Sequence, residues 1–349
     1  MEFDLQNLVR KNIQQLKPYS SARHEFTGKA SVFLDANENA YGSPLPEKFN
    51  RYPDPLQWQL KFQLARIKGV PAENIFVGNG SDEVIDLAYR IFCDPAKDNV
   101  IVCPPTYGMY EVSGDINDVA IKKVNLINGF QLDVKEILAT VDANTKLVFI
   151  CSPNNPTGNN MRREDVEIIL NNFSGIVIID EAYINYSKQK TFIQELTEYP
   201  NLVVMQTLSK AWGLAALRLG LCYASMDIID LFNKVKPPYN INDASQQLAL
   251  QALQNTDLVN EWITASVLEK EWLIKEMGNF TFVETVYPSD ANFFLMKVKN
   301  AAELYNYLSD HEVVVRNRSK DPGCENCLRI TIGTPEENEQ LLNLLKSYK

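Results

Sequence analysis

Short apolar runs recur along the first two thirds of the chain: IFV near residue 77, NVIV near 100, AIKKV near 122, KLVFIC near 148, GIVII near 178, NLVVM near 204 and RLGLC near 221. Each is closed by a glycine, a proline or a polar cluster. Between several of them the apolar spacing lengthens to a helical period, as in REDVEIILNNF. Uniformly apolar strands alternating with helices predict a mainly parallel sheet covered on both faces. Residues 56–68 carry helical periodicity, and Gly69 and Pro71 stop that helix. GNGSDEVIDLAYRIF reads as strand end, glycine turn, Ser81 as N-cap, then an amphipathic helix.

The texture changes near residue 243. Long helical patterns, DASQQLALQALQ and LVNEWITASVLEKEWLIKEM, lead to the short segments NFFLMKV and VVVRNRS and a terminal helix. The chain therefore divides into a large α/β domain over residues 31–242 and a smaller α+β domain over 243–349. An N-terminal arm, residues 1–30, is helical and then irregular, and is expected to pack with the small domain.

Composition narrows the class. With 349 residues, 45% hydrophobic and 22% charged, the chain can bury a large core. A net charge of −10 leaves no basic excess for phosphate backbones, so no nucleic-acid partner is expected. No stretch approaches the roughly 18 apolar residues of a membrane span, and MEFDLQNLVRKNIQQLK lacks the apolar centre of a signal peptide. Cys93, Cys103, Cys151 and Cys222 lie in apolar contexts and read as buried thiols, which suits the cytoplasm. Cys324 and Cys327 form a lone C-x-x-C; with only two histidines in the chain, they read as loop cysteines and no metal is expected. The same scarcity of histidine disfavours hydrolytic triads.

Five polar clusters, GNGS, CPPTY, CSPNNPTG, DEAY and TLSK, each follow an apolar run directly. Ligands of α/β sheets bind beyond the carboxyl ends of strands, so five loops should meet at one edge. Lys210 sits among small and apolar residues with Arg218 downstream, while Asp180 ends an apolar run and Tyr183 follows. These are the parts that hold pyridoxal phosphate: an amine for the aldehyde, an acid for the ring nitrogen, a phenol and an amide for the ring oxygen. Read singly, each has an ordinary use. Asp180 could cap a turn, Gly80 and Ser81 could cap a helix, Tyr107 could be core, and Arg316 and Arg329 could form surface salt bridges. Read together, Gly80, Ser81 and Asp82 open a helix whose N–H groups, with Thr207, Ser209 and Arg218, would cup a phosphate. Tyr107 would stack on the ring, and Asn155, before Pro156 in a bond with a tendency to be cis, would join Tyr183 at the ring oxygen. Lys210 would then act as the general base.

LKPYSSAR, LDANENAYGSP, NRYPDP, GNGSDE, PPTYGMY, NNPTG, DEAY, TLSKA…RLG, VVVRNRS and CLRITIGTPEEN span nearly the whole chain. Through them it resembles the fold-type-I pyridoxal-phosphate aminotransferases (class II), and among these the histidinol-phosphate aminotransferase family. The resemblance implies a mostly parallel seven-stranded sheet flanked by helices, plus a smaller α+β domain. It implies a homodimer in which Tyr52 reaches the neighbouring subunit's cofactor phosphate. It also implies a ping-pong exchange in histidine biosynthesis: L-histidinol phosphate and 2-oxoglutarate give imidazole-acetol phosphate and glutamate. One guanidinium must then fork onto a phosphate and a carboxylate in turn. Arg329 is the candidate, with Arg316 as second cation and Tyr19 and Asn155 beside the substrate. The same scaffold serves aromatic aminotransferases and threonine-phosphate decarboxylases. A non-catalytic effector-binding domain would call for an attached DNA-binding segment, which the chain is not expected to carry.

Overall fold

The computed structural model describes residues 3–19 and 31–348. Seven strands form the larger sheet: β1 Ile75–Asn79, β2 Asn99–Val102, β3 Ala120–Lys123, β4 Thr145–Cys151, β5 Ile176–Asp180, β6 Leu202–Thr207 and β7 Leu219–Ala224, in the order β1-β7-β6-β5-β4-β2-β3. Every neighbouring pair is parallel except the two made by β7. Because β7 runs against both neighbours, β1 points the same way as β6. The carboxyl ends of β1, β2, β4, β5 and β6 therefore share one edge. Arg218, which enters β7, arrives at that edge from the opposite direction.

β5, β6 and β7 are buried at every position, which is why their sequences show no polar alternation. Alternate residues serve opposite faces. Val177, Ile179, Leu202 and Val204 pack with Leu60, Leu64 and Ile169, while Ile176, Ile178, Val203 and Met205 pack with Val84, Ile91, Ile228 and Phe232. Helix Trp58–Lys68 ends at Gly69 in the left-handed conformation, as its sequence predicts. The start of the next helix differs by one residue: Gly80 is the N-cap and Ser81 the first helical residue of Ser81–Phe92. Gly80 takes this place because its φ of +77° disfavours any side chain.

The smaller sheet is antiparallel, in the order β10-β11-β9-β8: β8 Val283–Val286, β9 Phe293–Val298, β10 Arg316–Asn317 and β11 Cys327–Thr331. Its core draws on Leu273 and Met277 of helix Thr256–Met277, Leu304 and Leu308 of helix Ala301–Asp310, and Leu341 and Leu342 of helix Pro335–Ser347. The last helix begins with a Thr334–Glu337 capping box and proline in its first turn. β8 escapes the hydrophobic pattern. β8 is only partly covered and so lacks a continuous apolar run.

The arm departs from expectation. Its described part forms two short helices, Leu5–Leu8 and Lys11–Gln15. Val9 and Ile13 pack into the large sheet's core, and Arg10 pairs with Asp94 at 3.3 Å. Residues 3–19 thus lean on the large unit, and residues 20–30 lie outside the described residues. Ala249, Leu253 and Val259 also pack into the large sheet's core although they follow residue 242.

Candidate active site

Asp180 ends β5 with its carboxylate enclosed at 4% exposure. Its Oδ1 accepts from the Ala182 N–H at 3.0 Å and its Oδ2 from the Tyr110 hydroxyl at 2.7 Å. Burial raises its pKa; the Tyr110 and Ala182 bonds and the Lys210 charge act the other way.

Lys210 follows β6 and stays exposed in the open cleft, its Nζ 5.6 Å from the Tyr183 ring centre. Loss of solvent along the cleft wall lowers its ammonium pKa, Arg329 and Arg218 add like-charge repulsion, and Asp180 offsets part of this. Tyr183 is buried, meets Phe293 edge-on at 5.0 Å, and has its phenol pushed well up by burial.

Arg329, on β11, donates from Nη1 to the Asn155 Oδ1 at 2.5 Å and lies 5.2 Å from the Phe293 ring. Its Nε is buried and has no hydrogen-bond partner among the described residues. The small sheet thus delivers a guanidinium to the loop after β4. Arg316 sits directly across the β10–β11 pair from Arg329; it is exposed, and its charge adds to the lowering of the Arg329 pKa behind burial. The Asn155–Pro156 bond is cis.

A third group gathers at the start of helix Ser81–Phe92. No side chain caps that N-terminus. Arg218 donates to the Asp82 Oδ2 at 3.3 Å, and Tyr107 donates to the Asp82 Oδ1 at 3.0 Å. The Gly80 N–H donates to the Arg218 carbonyl at 2.8 Å. A Cβ on Gly80 would stand 2.6 Å from an Arg218 nitrogen. Thr207 and Ser209 close the turn after β6, with the Ser209 N–H donating to the Thr207 hydroxyl at 3.0 Å. Helix N–H groups, a guanidinium and two hydroxyls form a cradle of the kind that takes a phosphate.

Two expected residues stand apart. Tyr52 is half exposed and stacks on Tyr239 at 4.5 Å, and Tyr19 is exposed at the end of the arm. Three residues escaped the sequence. Tyr110 holds Asp180, and Phe293 underlies Arg329 and Tyr183. Asn154 is fully buried and ties the loop after β2 to the loop after β4, donating to the Pro105 carbonyl at 2.8 Å and accepting from Thr106 at 3.1 Å. Tyr110 lies in helix Met109–Ile116, just after the loop that carries Tyr107, and nothing in that segment marks its contact with Asp180.

The family model described as aminotransferase class I and II matches residues 34–345. The chain belongs to this aminotransferase family. A histidinol-phosphate aminotransferase of Cytophaga hutchinsonii is 53% identical to it over 348 residues, with 100% of each chain covered. Among solved aminotransferases, the histidinol-phosphate aminotransferase from Clostridium acetobutylicum superposes with a TM-score of 0.79 at 24% identity, covering 86% of this chain and 90% of that one. L-threonine-O-3-phosphate decarboxylase from Porphyromonas gingivalis superposes with 0.72 at 23% identity, covering 86% and 90%. At such identities the likeness shows the fold alone, and this aminotransferase fold also carries a decarboxylase. Among the described residues no helix is long and apolar enough to cross a membrane, and no cluster of His, Cys, Asp and Glu could hold a metal.

Proposed function

We propose that the protein is a pyridoxal-phosphate-dependent transaminase that moves an amino group between L-histidinol phosphate and 2-oxoglutarate. The observation that carries the reading is full-length similarity, 53% identity over 348 residues, to a protein of that name. The site's chemistry supports it.

The residues fit the cofactor on two grounds. The Gly80 turn is a cradle with no room for a side chain beside Arg218. Asp180 is an enclosed carboxylate whose burial calls for a cationic partner. Gly80, Ser81, Thr207, Ser209 and Arg218 would take the phosphate, with Asp82 and Tyr107 orienting Arg218 and the ring. Asn155 and Tyr183 would bond the ring oxygen. When bound, pyridoxal phosphate supplies an aldehyde that accepts the substrate amine and a ring that stabilises the electron pair left at the substrate Cα.

Lys210 Nζ is the amine that would meet the aldehyde, and once freed by a substrate amine it would be the base for the Cα proton; its lowered pKa favours the neutral form this needs. Asp180 would face the ring nitrogen and favour its protonated form. Arg329 binds the substrate phosphate and, in the second half-reaction, a dicarboxylate's distal group, with Arg316, its cross-strand neighbour, as second cation; Tyr19, exposed and apart, would have to approach from the arm. The partnerless Nε of Arg329 leaves a donor for such an anion.

The working unit is a cytoplasmic homodimer. Leu34 (87% exposed), Tyr41 (101%), Leu45 and Tyr52 are exposed apolar side chains within residues 34–52, among the described residues, and would suit a second copy. Six free thiols, all buried, suit a reducing compartment. Two sheets with separate cores support a large and a small unit, while the packing of Val9 and Ile13, and of Ala249, Leu253 and Val259, into the large sheet's core favours drawing the large unit wider than residues 31–242.

The test is a half-reaction. Cofactor-loaded protein mixed with L-histidinol phosphate, without an acceptor, should lose the absorbance of the lysine-bound cofactor, and phenylalanine should do so far more slowly. Borohydride reduction of the resting enzyme should place the label on Lys210. Equal response to phenylalanine would move the assignment to an aromatic aminotransferase, and release of carbon dioxide from threonine phosphate would move it to the decarboxylase.

A further inference from the structure

We propose that Tyr110 is a positioning residue that keeps the Asp180 carboxylate ionised and aimed, and thereby sets how firmly a bound pyridine nitrogen holds its proton. The proposal rests on the cofactor reading above and adds to it a residue outside the cleft.

Asp180 has a conflict to resolve. It must be an anion to serve a ring cation, yet it is 4% exposed and burial favours its neutral form. Of the interactions favouring the anion, the Tyr110 hydroxyl at 2.7 Å is the largest, ahead of the Ala182 N–H and the Lys210 charge. The other charged and titratable groups felt around this pair are Asp82, which opposes the charge, and Tyr107, Tyr183 and Cys151. A hydrogen bond to an ionised acceptor in such surroundings is stronger than a neutral one.

Tyr110 reaches the site from behind, its hydroxyl between Asp180 and the Cys151 thiol. It is 0% exposed although the cleft is open to solvent, so its ring forms no part of the cleft wall and cannot stack on a ligand there as Tyr107 can. Its effect therefore passes through Asp180. Its ring stacks on Phe149 at 4.8 Å with 13° between planes and meets Tyr107 edge-on at 5.6 Å. Its carbonyl accepts from the Tyr89 hydroxyl at 2.6 Å. Backbone and ring are both held, which fixes the line from hydroxyl to Oδ2. Burial and the Asp180 charge push the phenol's own pKa well up, so it remains a donor across the working range.

The test uses cofactor-loaded protein and two readouts, the cofactor dissociation constant and the pH titration of the lysine-bound cofactor's absorbance. Tyr110→Phe keeps the ring and its stacking and removes only the hydroxyl. It should bind cofactor about tenfold more weakly, the scale of one lost charge-assisted hydrogen bond. The midpoint of its absorbance titration should rise by about one pH unit, because losing the ring cation removes a positive charge that lowers the proton affinity of the lysine-bound nitrogen. In Asp180→Asn there is no carboxylate to serve, so adding Tyr110→Phe should leave the midpoint where the single variant has it. That double variant buries no charge, so it reads out even if the single Tyr110 variant is destabilised. A Tyr110→Phe midpoint equal to wild type overturns the proposal, as does an equal shift in the Asp180→Asn background. A wild-type protein that acquires no lysine-bound cofactor band at all overturns the cofactor reading itself, a distinguishable result.

Discussion

Arg329 shows most clearly how one side chain acquires a role from its neighbours. Its guanidinium is held on one nitrogen by Asn155 and lies near the Phe293 ring, with Nε left without a partner among the described residues. Burial lowers its pKa, yet an arginine stays charged, so it is a cation with donors to spare. Arg329→Lys keeps the charge and loses the fork. Both half-reactions should slow by roughly ten- to a hundredfold in single-turnover kinetics, as expected for losing one or two charge-assisted bonds. If Arg329→Leu impairs only one half-reaction, the shared-anion idea is wrong, and Arg316, its cross-strand neighbour, takes the other substrate.

At the scale of elements, the proposed phosphate cradle depends on how closely β7 approaches the start of helix Ser81–Phe92. A Cβ on Gly220 would lie 2.2 Å from the Gly80 carbonyl carbon and 2.3 Å from the Ser81 nitrogen. Both are backbone atoms, which cannot swing aside as a side-chain end can. Gly220→Ala should therefore lower stability by about 1–3 kcal/mol in denaturant unfolding. It should also weaken cofactor binding, because relief requires moving the helix N-terminus. Gly108 is the control. It has φ −65° and nothing within 4 Å of an added Cβ, so Gly108→Ala should stay within about 0.5 kcal/mol of the parent. Equal losses in both variants would mean that the close approach is not what the glycine serves.

At the scale of the whole molecule, the loop carrying Tyr52 is well anchored although its tyrosine faces outward. Glu38 accepts from Arg51 at 2.6 Å and from the Tyr52 N–H at 2.7 Å. Lys236, buried, donates to the carbonyls of Pro55 and Pro238 at 2.7 and 2.9 Å. A firmly held loop presenting an exposed aromatic is what a shared site across a two-fold axis requires. Mixing Lys210→Ala with Tyr52→Phe and allowing subunits to exchange should restore part of the activity, since one site of the heterodimer carries neither lesion. No recovery despite demonstrated exchange, or a fully active monomer by light scattering, would remove the shared-site proposal.

By itself the sequence determined the layered α/β core, because strands buried on both faces run apolar up to their polar ends, as β5 does to Ile179 and β6 to Met205. It also determined which loops meet at one edge, because a polar cluster directly after such a strand has a single edge on which to emerge. Local rules placed Gly69 as a helix stop and missed Gly80 as a cap by one residue, where an N-cap serine and a positive-φ glycine compete for the same turn. Only the tertiary structure decided what long-range pairing controls. The antiparallel course of β7 brings Arg218 to the start of helix Ser81–Phe92, beside Asp82. The β10–β11–β9 register sets Arg329 beside Asn155 and over Phe293. The packing of Val9 and Ile13 sends the arm's start to the large sheet. Tyr110 belongs with these: its hydroxyl meets Asp180 through contacts between residues 70 positions apart, and no period or motif within one segment encodes a contact of that range.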